Sequence, residues 1–196
     1  MLHIETMPLG AYQTNCYLLW QEDRDDCIVI DPGFEAQTVL LKARMLKKTI
    51  AAILLTHGHF DHVGAVREIA ADTDCQVYLC EQDLSMPAQL TAGKLYYTHT
   101  YGEGDRLELA GIALEVLHTP GHTEGSVCLL TQDHMFSGDT LFAGTCGRTD
   151  LPGGSWQTIR ASLLRLSKLD KNYTVHPGHG EATTLDKERM YNPYMR

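Results

Sequence analysis

The chain has 196 residues, of which 43% are hydrophobic and 21% are charged, and its net charge is -9. This composition is typical of a globular protein and excludes the low hydrophobicity and high charge of a disordered chain. The acidic balance argues against the basic surface with which proteins bind a duplex, so we expect no nucleic-acid partner.

No part of the sequence reads as a targeting or anchoring segment. The N-terminal residues lack a basic stretch followed by an apolar run, and no apolar segment approaches the ~18 residues needed to span a bilayer. The six cysteines contain no Cys-x-x-Cys pair, and we expect reduced core residues, with only Cys146 placed to face a cleft. We therefore expect a cytoplasmic protein without a membrane partner, folded as a single domain over 1–196, and leave its oligomeric state open.

The first predicted elements are strands. Apolar runs at 16–20 and 27–30, separated by polar residues, predict a hairpin. Over 35–48, apolar residues recur at steps of three and four, which predicts a helix. A buried strand at 50–55 and a histidine-rich loop follow, and a second helix is expected over 63–71.

The second half of the chain is predicted to contain strands in runs with helices between the runs. In chain order we expect a strand at 76–79, a short helix plus loop over 81–104, a hairpin of 107–109 and 112–117, a hairpin of 127–130 and 134–136, a helix from the N-cap Ser155 to about Leu169, a strand at 173–175 and a short tail after His179. This order does not fit a simple doubly wound parallel sheet, whereas two sheets covered by helices fit it better.

The strongest chemical signal directly follows the buried strand 50–55. The segment reads Thr56-His57-Gly58-His59-Phe60-Asp61-His62. In an extended backbone, residues two apart point the same way, so His57 and His59 can converge on one ion. Asp61 and His62 begin the next turn and can serve a neighbouring ion. Four metal-competent side chains so close together are hard to explain as packing.

Three later loops place further candidate ligands after predicted strands. His122 and His179 each follow a Pro-Gly pair, and the glycine lets the backbone turn and present the imidazole. Asp139 follows Ser137-Gly138 at the end of another strand. We interpret His118 and His176, at strand ends, as residues that cap or hydrogen-bond their loops.

The set His57-Gly58-His59-Phe60-Asp61-His62, His122, Asp139 and His179, in this order, resembles the metallo-β-lactamase superfamily, and within it the small type II glyoxalase-like (hydroxyacylglutathione hydrolase-like) branch. The resemblance spans nearly the whole chain and includes Val29-Ile30-Asp31-Pro32-Gly33. It implies an α+β fold, a four-layer αβ/βα sandwich of two mixed sheets flanked by helices, with metals in a groove at one edge of the sheets.

The resemblance also implies a ligand set for two divalent ions. The first ion would be held by His57, His59 and His122, the second by Asp61, His62 and His179, and Asp139 would bridge both. Imidazole and carboxylate donors suit zinc best and also accept iron or manganese. Asp31 is expected to accept a hydrogen bond from a ligand imidazole, and a plain strand-ending turn is its alternative.

The activity that this resemblance implies is hydrolysis of a thioester such as S-lactoylglutathione by a hydroxide that bridges the metals. Asp61 is a candidate catalytic residue that orients the hydroxide. Arg148 is a candidate for binding a substrate carboxylate through a bidentate pair, and a salt-bridged loop arginine is its alternative. Larger type II glyoxalases carry a C-terminal helical glutathione-binding domain that we do not find here, so glutathione recognition is left open.

Other functions remain open at this point. Persulfide dioxygenases also resemble this chain, including residues 146–150, and use one iron at the positions of His57, His122 and Asp139. Hydrolysis of lactones or β-lactams on the same metals is a further alternative. A metal-binding or partner-binding module without turnover is the alternative outside enzymes.

Overall fold

Two six-stranded sheets face each other in the computed structural model, which describes residues 1–91 and 93–196. The first sheet contains, in spatial order, β1 (Leu2–Leu9), β2 (Thr14–Gln21), β3 (Asp26–Ile30), β4 (Thr49–Leu55), β5 (Gln76–Cys80) and β6 (His99–Tyr101). The second contains, in spatial order, β14 (Thr183–Thr184), β13 (Thr174–Pro177), β10 (His134–Gly138), β9 (Val127–Thr131), β8 (Ile112–His118) and β7 (Arg106–Leu109). A separate small hairpin consists of β11 (Leu141–Phe142) and β12 (Thr145–Cys146).

Within residues 1–91 and 93–196, five α-helices accompany the sheets. They are α1 (Ala36–Met45), α2 (Phe60–Val63), α3 (Val66–Thr73), α4 (Trp156–Leu166) and α5 (Leu185–Tyr191), and 3-10 helices cover Glu81–Ser85 and Pro193–Met195. None of the helices in the described ranges is long and apolar enough to cross a membrane.

The apolar core consists of three clusters of buried side chains, which lie between the neighbouring layers of helices and sheets. In β4, Ile53 and Leu55 pack with the residues of α1 and α3, whereas Ala52 and Leu54 pack toward the second sheet. Residues of α4 and α5 cover the outer face of the second sheet. Because β4 is buried on both faces, its sequence is a continuous apolar run. The order helix, sheet, sheet, helix confirms the expected α+β four-layer sandwich with mixed sheets.

The helix expected over 63–71 is in fact two helices, and its start is earlier than predicted. α2 begins at Phe60, so Asp61 and His62 lie on a helical turn. The break falls after Gly64, where the Ala65 N–H donates to the carbonyl of Pro32 at 3.0 Å. This hydrogen bond comes from a distant loop, so local periodicity could not predict it.

Two other parts of the chain also differ from the prediction. The tail after His179 contains β14 and α5, and the Thr184 hydroxyl caps α5 by accepting from the Lys187 N–H. The segment 81–104, of which residue 92 lies outside the described residues, contains a 3-10 helix and β6. The predicted N-cap of α4 is confirmed, because Ser155 Oγ accepts from the Thr158 N–H at 3.2 Å.

His176 in β13 packs against the apolar side chains between the two sheets. Its ring stacks on Phe136 with centroids 4.9 Å apart, and its Nε2 lies 3.0 Å from Nδ1 of His134. Burial, and after it the neighbouring His134, lowers the pKa of His176 to about 4. An unfolded chain protonates this imidazole near its ordinary value of about 6.5, so this contribution to stability is lost as the pH falls from about 6.5 to about 4.

We expect His176→Phe to weaken the acid sensitivity of folding. Between about pH 7 and about pH 4.5, the variant should lose roughly 2 kcal/mol less free energy of unfolding than the wild type. Urea denaturation of both proteins at the two pH values measures this difference. Equal losses in both proteins would show that His176 does not titrate in this way.

Candidate metal centre

Three imidazoles form the first group of candidate ligands. His57 and His59 follow the carboxyl end of β4, and His122 lies in the loop after β8. Their ligand atoms all lie within 4.8 Å of one another, and Nδ1 of His59 is 2.8 Å from Nε2 of His122. Nε2 of His57 is buried and has no hydrogen-bond partner in the described part of the chain. The structure therefore brings these three predicted residues together.

The second group consists of Asp61, His62 and His179. Its ligand atoms also lie within 4.8 Å of one another. Oδ2 of Asp61 is 3.3 Å from Nε2 of His179 and 3.8 Å from Nε2 of His62. Asp61 and His62 come from α2 beside the first sheet, whereas His179 follows β13 of the second sheet. The two sheets thus contribute ligands to the same group.

Asp139, which follows β10, lies between the two groups. Its Oδ1 is 3.4 Å from Nε2 of His62, and its Oδ2 is 3.5 Å from Nε2 of His122 and 3.6 Å from Nε2 of His179. Oδ1 is buried without a hydrogen-bond partner among the described residues. This carboxylate can therefore reach an ion in either group.

Acceptors behind the imidazoles fix which nitrogen faces the centre. Nδ1 of His62 donates to Asp31 Oδ2 at 2.9 Å, Nδ1 of His122 to the carbonyl of Arg148 at 2.8 Å, and Nδ1 of His179 to the carbonyl of Tyr12 at 3.2 Å. A neutral imidazole that donates from Nδ1 keeps its lone pair on Nε2. Each of the three rings therefore presents a metal-binding nitrogen to the centre.

Asp31 is a hydrogen-bonding residue behind the ligands. Besides His62, it accepts the backbone N–H of Thr56 at 2.7 Å and the Thr56 hydroxyl at 2.6 Å. Asp31, His57 and His62 also lie close enough to hold an ion. Because both oxygens of Asp31 already accept hydrogen bonds, we assign it to orienting His62 and the loop.

The chain must lack a side chain at residue 178 for the groups to meet. A Cβ there would collide with Oδ1 of Asp139 and would lie 2.7 Å from Cε1 of His62. The Gly178 backbone is held by the Asn15 N–H and by the carbonyl of Gly138, at 2.8 Å each. The glycine noted in the sequence as a turn residue is therefore required by close packing as well.

Burial and the neighbouring charges set the protonation states. Burial lowers the pKa of His57 and lowers the pKa of His59 to about 4, so both imidazoles are neutral at neutral pH. Burial raises the pKa of the Asp139 carboxyl, but His62, His122 and His179 outweigh it and hold that pKa below its usual value. Neutral imidazoles and an ionised carboxylate are the forms that bind cations. With the unpartnered buried atoms, this donor set fits two divalent ions.

A groove of about 390 Å³ opens over the centre. Its aromatic and apolar lining residues are Tyr12, Phe60, Leu90, Phe142 and Leu151, and its polar lining residues are His59, Asp61, His122, Asp139, Arg148 and His179. The Arg148 guanidinium is exposed and forms two hydrogen bonds of 2.7 Å with the Asp150 carboxylate. Arg148 thus lines the groove and has the salt bridge of its alternative, while its role in binding substrate stays a prediction.

Sequence reasoning missed Asp83, a buried carboxylate between the two ligand loops. It lies in the 3-10 helix Glu81–Ser85, whose neighbouring Glu81 and Gln82 are exposed. Nothing in this short polar run distinguishes the one residue that turns inward. Tyr12 and Thr14 were also missed, because their contacts with His179 and Asp61 join the first hairpin to distant loops.

The chain belongs to the metallo-β-lactamase superfamily, whose family model matches residues 9–179. It is 37% identical to an uncharacterized protein of Mycobacterium tuberculosis, covering 98% of this chain and 97% of that protein. It is 34% identical to the hydroxyacylglutathione hydrolase GloC of Haemophilus influenzae, covering 99% and 98%. With the probable metallo-hydrolase YqgX of Bacillus subtilis the identity is 36%, covering 96% and 95%.

Solved structures show the same fold. BLEG-1, a B3 metallo-β-lactamase, superposes with a TM-score of 0.90 at 34% identity, covering 98% of this chain and 99% of that chain. TTHA1623 in a di-iron-bound form gives 0.84 at 38% identity, covering 97% and 99%. ETHE1 from Myxococcus xanthus gives 0.84 at 27% identity, covering 97% and 83%. Superfamily membership and the His/Asp cluster together support a metal-dependent hydrolase.

Proposed function

We propose that the protein hydrolyses a thioester such as S-lactoylglutathione with two divalent ions, zinc being the best match and iron or manganese acceptable. The observation that carries this proposal is the position of Asp139, within 3.4–3.6 Å of imidazoles from both groups. The first group would hold one ion and the second group the other. The likeness to a named hydroxyacylglutathione hydrolase over nearly the full chain supports the substrate class.

Two ions bound there would supply an acidified water as nucleophile and would polarise the thioester carbonyl. The chain's own contribution begins with Asp61, whose carboxylate lines the groove and accepts from the Thr14 hydroxyl at 3.4 Å. Burial raises the pKa of Asp61, but the hydrogen bond from His179 and the charge of His62 outweigh it and lower that pKa. Asp61 is therefore an ionised acceptor that can orient a water in the groove. A thiolate leaves with less protonation than an amine needs, which favours thioester over amide cleavage.

The test pairs elemental analysis of freshly purified protein with an anaerobic panel of acyl-thioesters. We expect two ions per chain and thiol release that chelator abolishes and added metal restores. A protein with full ion content that releases no thiol from any thioester would contradict the proposal. Adding a lactone and a β-lactam to the panel tests the related hydrolases, which the likeness to BLEG-1 makes relevant.

A persulfide dioxygenase-like reaction is the second candidate. It is favoured by the resemblance of residues 146–150 to persulfide dioxygenases. In that case His57, His122 and Asp139 would hold a single iron. One iron per chain, and oxygen uptake with glutathione persulfide in place of thioester hydrolysis, would establish this alternative.

Arg148→Ala tests the proposed role of Arg148 in binding a substrate carboxylate. We expect KM for S-lactoylglutathione to rise by roughly 10-fold, because the variant loses the charge-assisted pair with the substrate carboxylate, for which Asp150 competes in the wild type. For an uncharged acyl-thioester, KM should not change. Steady-state kinetics on both substrates measures the difference. An equal rise on both would mean that Arg148 only shapes the loop.

We further propose that the protein acts in the cytoplasm on a small molecule. All six cysteines are free thiols, and five of them are buried. Unpaired cysteines suit a reducing compartment.

A further inference from the structure

A second buried acid, Asp83, lies beside the centre without belonging to either ligand group. Its side chain is fully buried and accepts three hydrogen bonds. Oδ2 accepts the Gly58 N–H at 2.8 Å and the Thr123 hydroxyl at 3.0 Å, and Oδ1 accepts the Gly125 N–H at 2.6 Å. Every one of these donors belongs to a loop that carries candidate ligands.

The two loops come from different sheets. Gly58 lies between His57 and His59 after β4 of the first sheet, whereas Thr123 follows His122 after β8 of the second sheet. A single carboxylate therefore links the chain on both sides of the first ligand group. In that group, Nδ1 of His59 and Nε2 of His122 are 2.8 Å apart, so a small change in loop spacing alters the space for an ion.

Close backbone packing makes this link specific. A Cβ at Gly125 would lie 2.6 Å from Cγ of Asp83, and a Cβ at Gly58 would lie 2.9 Å from Sδ of Met86. The loop after β8 can therefore reach the carboxylate only with glycine at residue 125. A longer acid at 83 would push the loops apart, and a shorter side chain would leave two backbone N–H groups buried without an acceptor.

Asp83 has a counterpart on the other side of His57. Asp31 accepts the N–H of Thr56, one residue before His57, and Asp83 accepts the N–H of Gly58, one residue after it. Asp31 also contacts His62 of the second group, whereas the three side-chain hydrogen bonds of Asp83 in the described part of the chain come from the loops of the first group. Burial raises the pKa of Asp83, and the hydrogen bonds from Gly125, Gly58 and Thr123 oppose that rise. Within the described ranges, no cationic side chain pairs with Asp83. Burying an unpaired carboxylate costs free energy of folding unless such hydrogen bonds offset its desolvation.

We propose that Asp83 is a positioning residue that fixes the spacing between His57-His59 and His122 and thereby sets the affinity of the first group for a divalent ion. This inference rests on the proposed function, in that the first group binds an ion. Asp83 itself touches neither ion nor substrate. It should act on the first group and leave the second group intact.

Asp83→Asn tests this role with a side chain of the same size. The amide keeps one acceptor oxygen and places an NH₂ donor either against the Gly125 N–H or against the Gly58 N–H and the Thr123 hydroxyl. One of the two backbone N–H groups therefore loses its acceptor. Competitive titration with zinc and a chromophoric chelator should show one site weakened by about 10- to 100-fold, the usual loss for a residue behind a metal ligand. The other site should keep its wild-type affinity. In the ion-free protein, amide hydrogen exchange at Gly58 or Gly125 should become faster.

Glu188→Gln is the matched control. Glu188 is equally buried and accepts the Gly144 N–H and the Thr183 hydroxyl, both at 2.7 Å. Among the described residues it has no hydrogen bond to the two loops that Asp83 links. We expect a lower Tm and two unchanged zinc affinities. If Asp83→Asn does not fold, Thr123→Val takes its place, because it removes a single hydrogen-bond donor to Asp83. We expect this variant to lose less zinc affinity, at the same site.

The outcomes separate this inference from the proposed function. Two wild-type affinities in Asp83→Asn, or in Thr123→Val if that variant is used, would overturn the role of Asp83 and leave the metal centre standing. Equal weakening of both sites would also overturn it, because the effect would then be general. A wild-type protein that binds no ion would overturn the metal centre and with it the inference.

Discussion

Asp139→Asn is expected to bind less than two ions per chain and to lower kcat/KM for thioester hydrolysis by about 10³-fold, roughly 4 kcal/mol of transition-state stabilisation. The carboxylate faces imidazoles of both groups, and His62, His122 and His179 keep it ionised against its burial. The amide removes the negative charge and directs an N–H donor at one of these groups. Elemental analysis and steady-state kinetics on the same preparation measure both effects together.

Asp133→Asn is the control for this change. Asp133 is an exposed carboxylate at the turn before β10 and pairs with Lys171, away from the groove. It should retain two ions and the wild-type rate. Full ion occupancy in Asp139→Asn would contradict the bridging assignment, whatever the rate of that variant.

Removal of the ions should lower Tm by about 10 °C. Ions that bind the folded chain at about 1,000 times their Kd add roughly 4 kcal/mol, and in a chain of this size each kcal/mol shifts Tm by about 2–4 °C. Without ions, the folded protein keeps buried atoms of His57, His62 and Asp139 unpartnered within the described residues. Thermal melts before chelation, after it and after zinc is added back measure the shift.

The size of this shift should depend on pH. Burial lowers the pKa of His62, but Asp139 and Asp31 outweigh it and raise that pKa, and the hydrogen bond to Asp61 similarly raises the pKa of His179. Protons therefore compete with ions for the second group, and the shift in Tm should shrink as the pH falls. An unchanged Tm after complete ion removal, at any pH, would mean that the centre does not couple to folding.

The sequence predicted best those elements whose signal is local. The apolar run of β4 and the adjacent histidines are contiguous, and the N-cap Ser155 lies directly before its helix. β1 escaped prediction because it is an edge strand with mostly half-buried residues, which gives no clean alternation. The break between α2 and α3 depends on Pro32, and α5 is held by Glu188 and Asn192 against the β11–β12 hairpin. Such non-local contacts leave no pattern in a short window.

In the candidate site, too, the sequence predicted the residues with a local signal and missed those defined by distant contacts. The structure brings the seven predicted ligands together, although three of them, His122, Asp139 and His179, come from three loops that are far from residues 57–62 in the chain. The resemblance supplied their grouping, which spacing alone could not. Asp83 could not be recognised, because a buried acid among exposed polar neighbours is defined only by the loops that fold over it. The pairing of Arg148 with Asp150 follows from their proximity in sequence and was one of the two alternatives considered.

Because each sheet supplies part of both ligand groups, the pair of sites is completed late in synthesis. Four of the seven donors are contributed by residues 57–62, but the last one is His179. A nascent chain still short of that histidine offers an incoming cation only a partial set of donors. Once the sheets have docked, releasing a cation requires loops of both sheets to separate, so exchange with free metal in the surroundings should be slow compared with a site built on one loop.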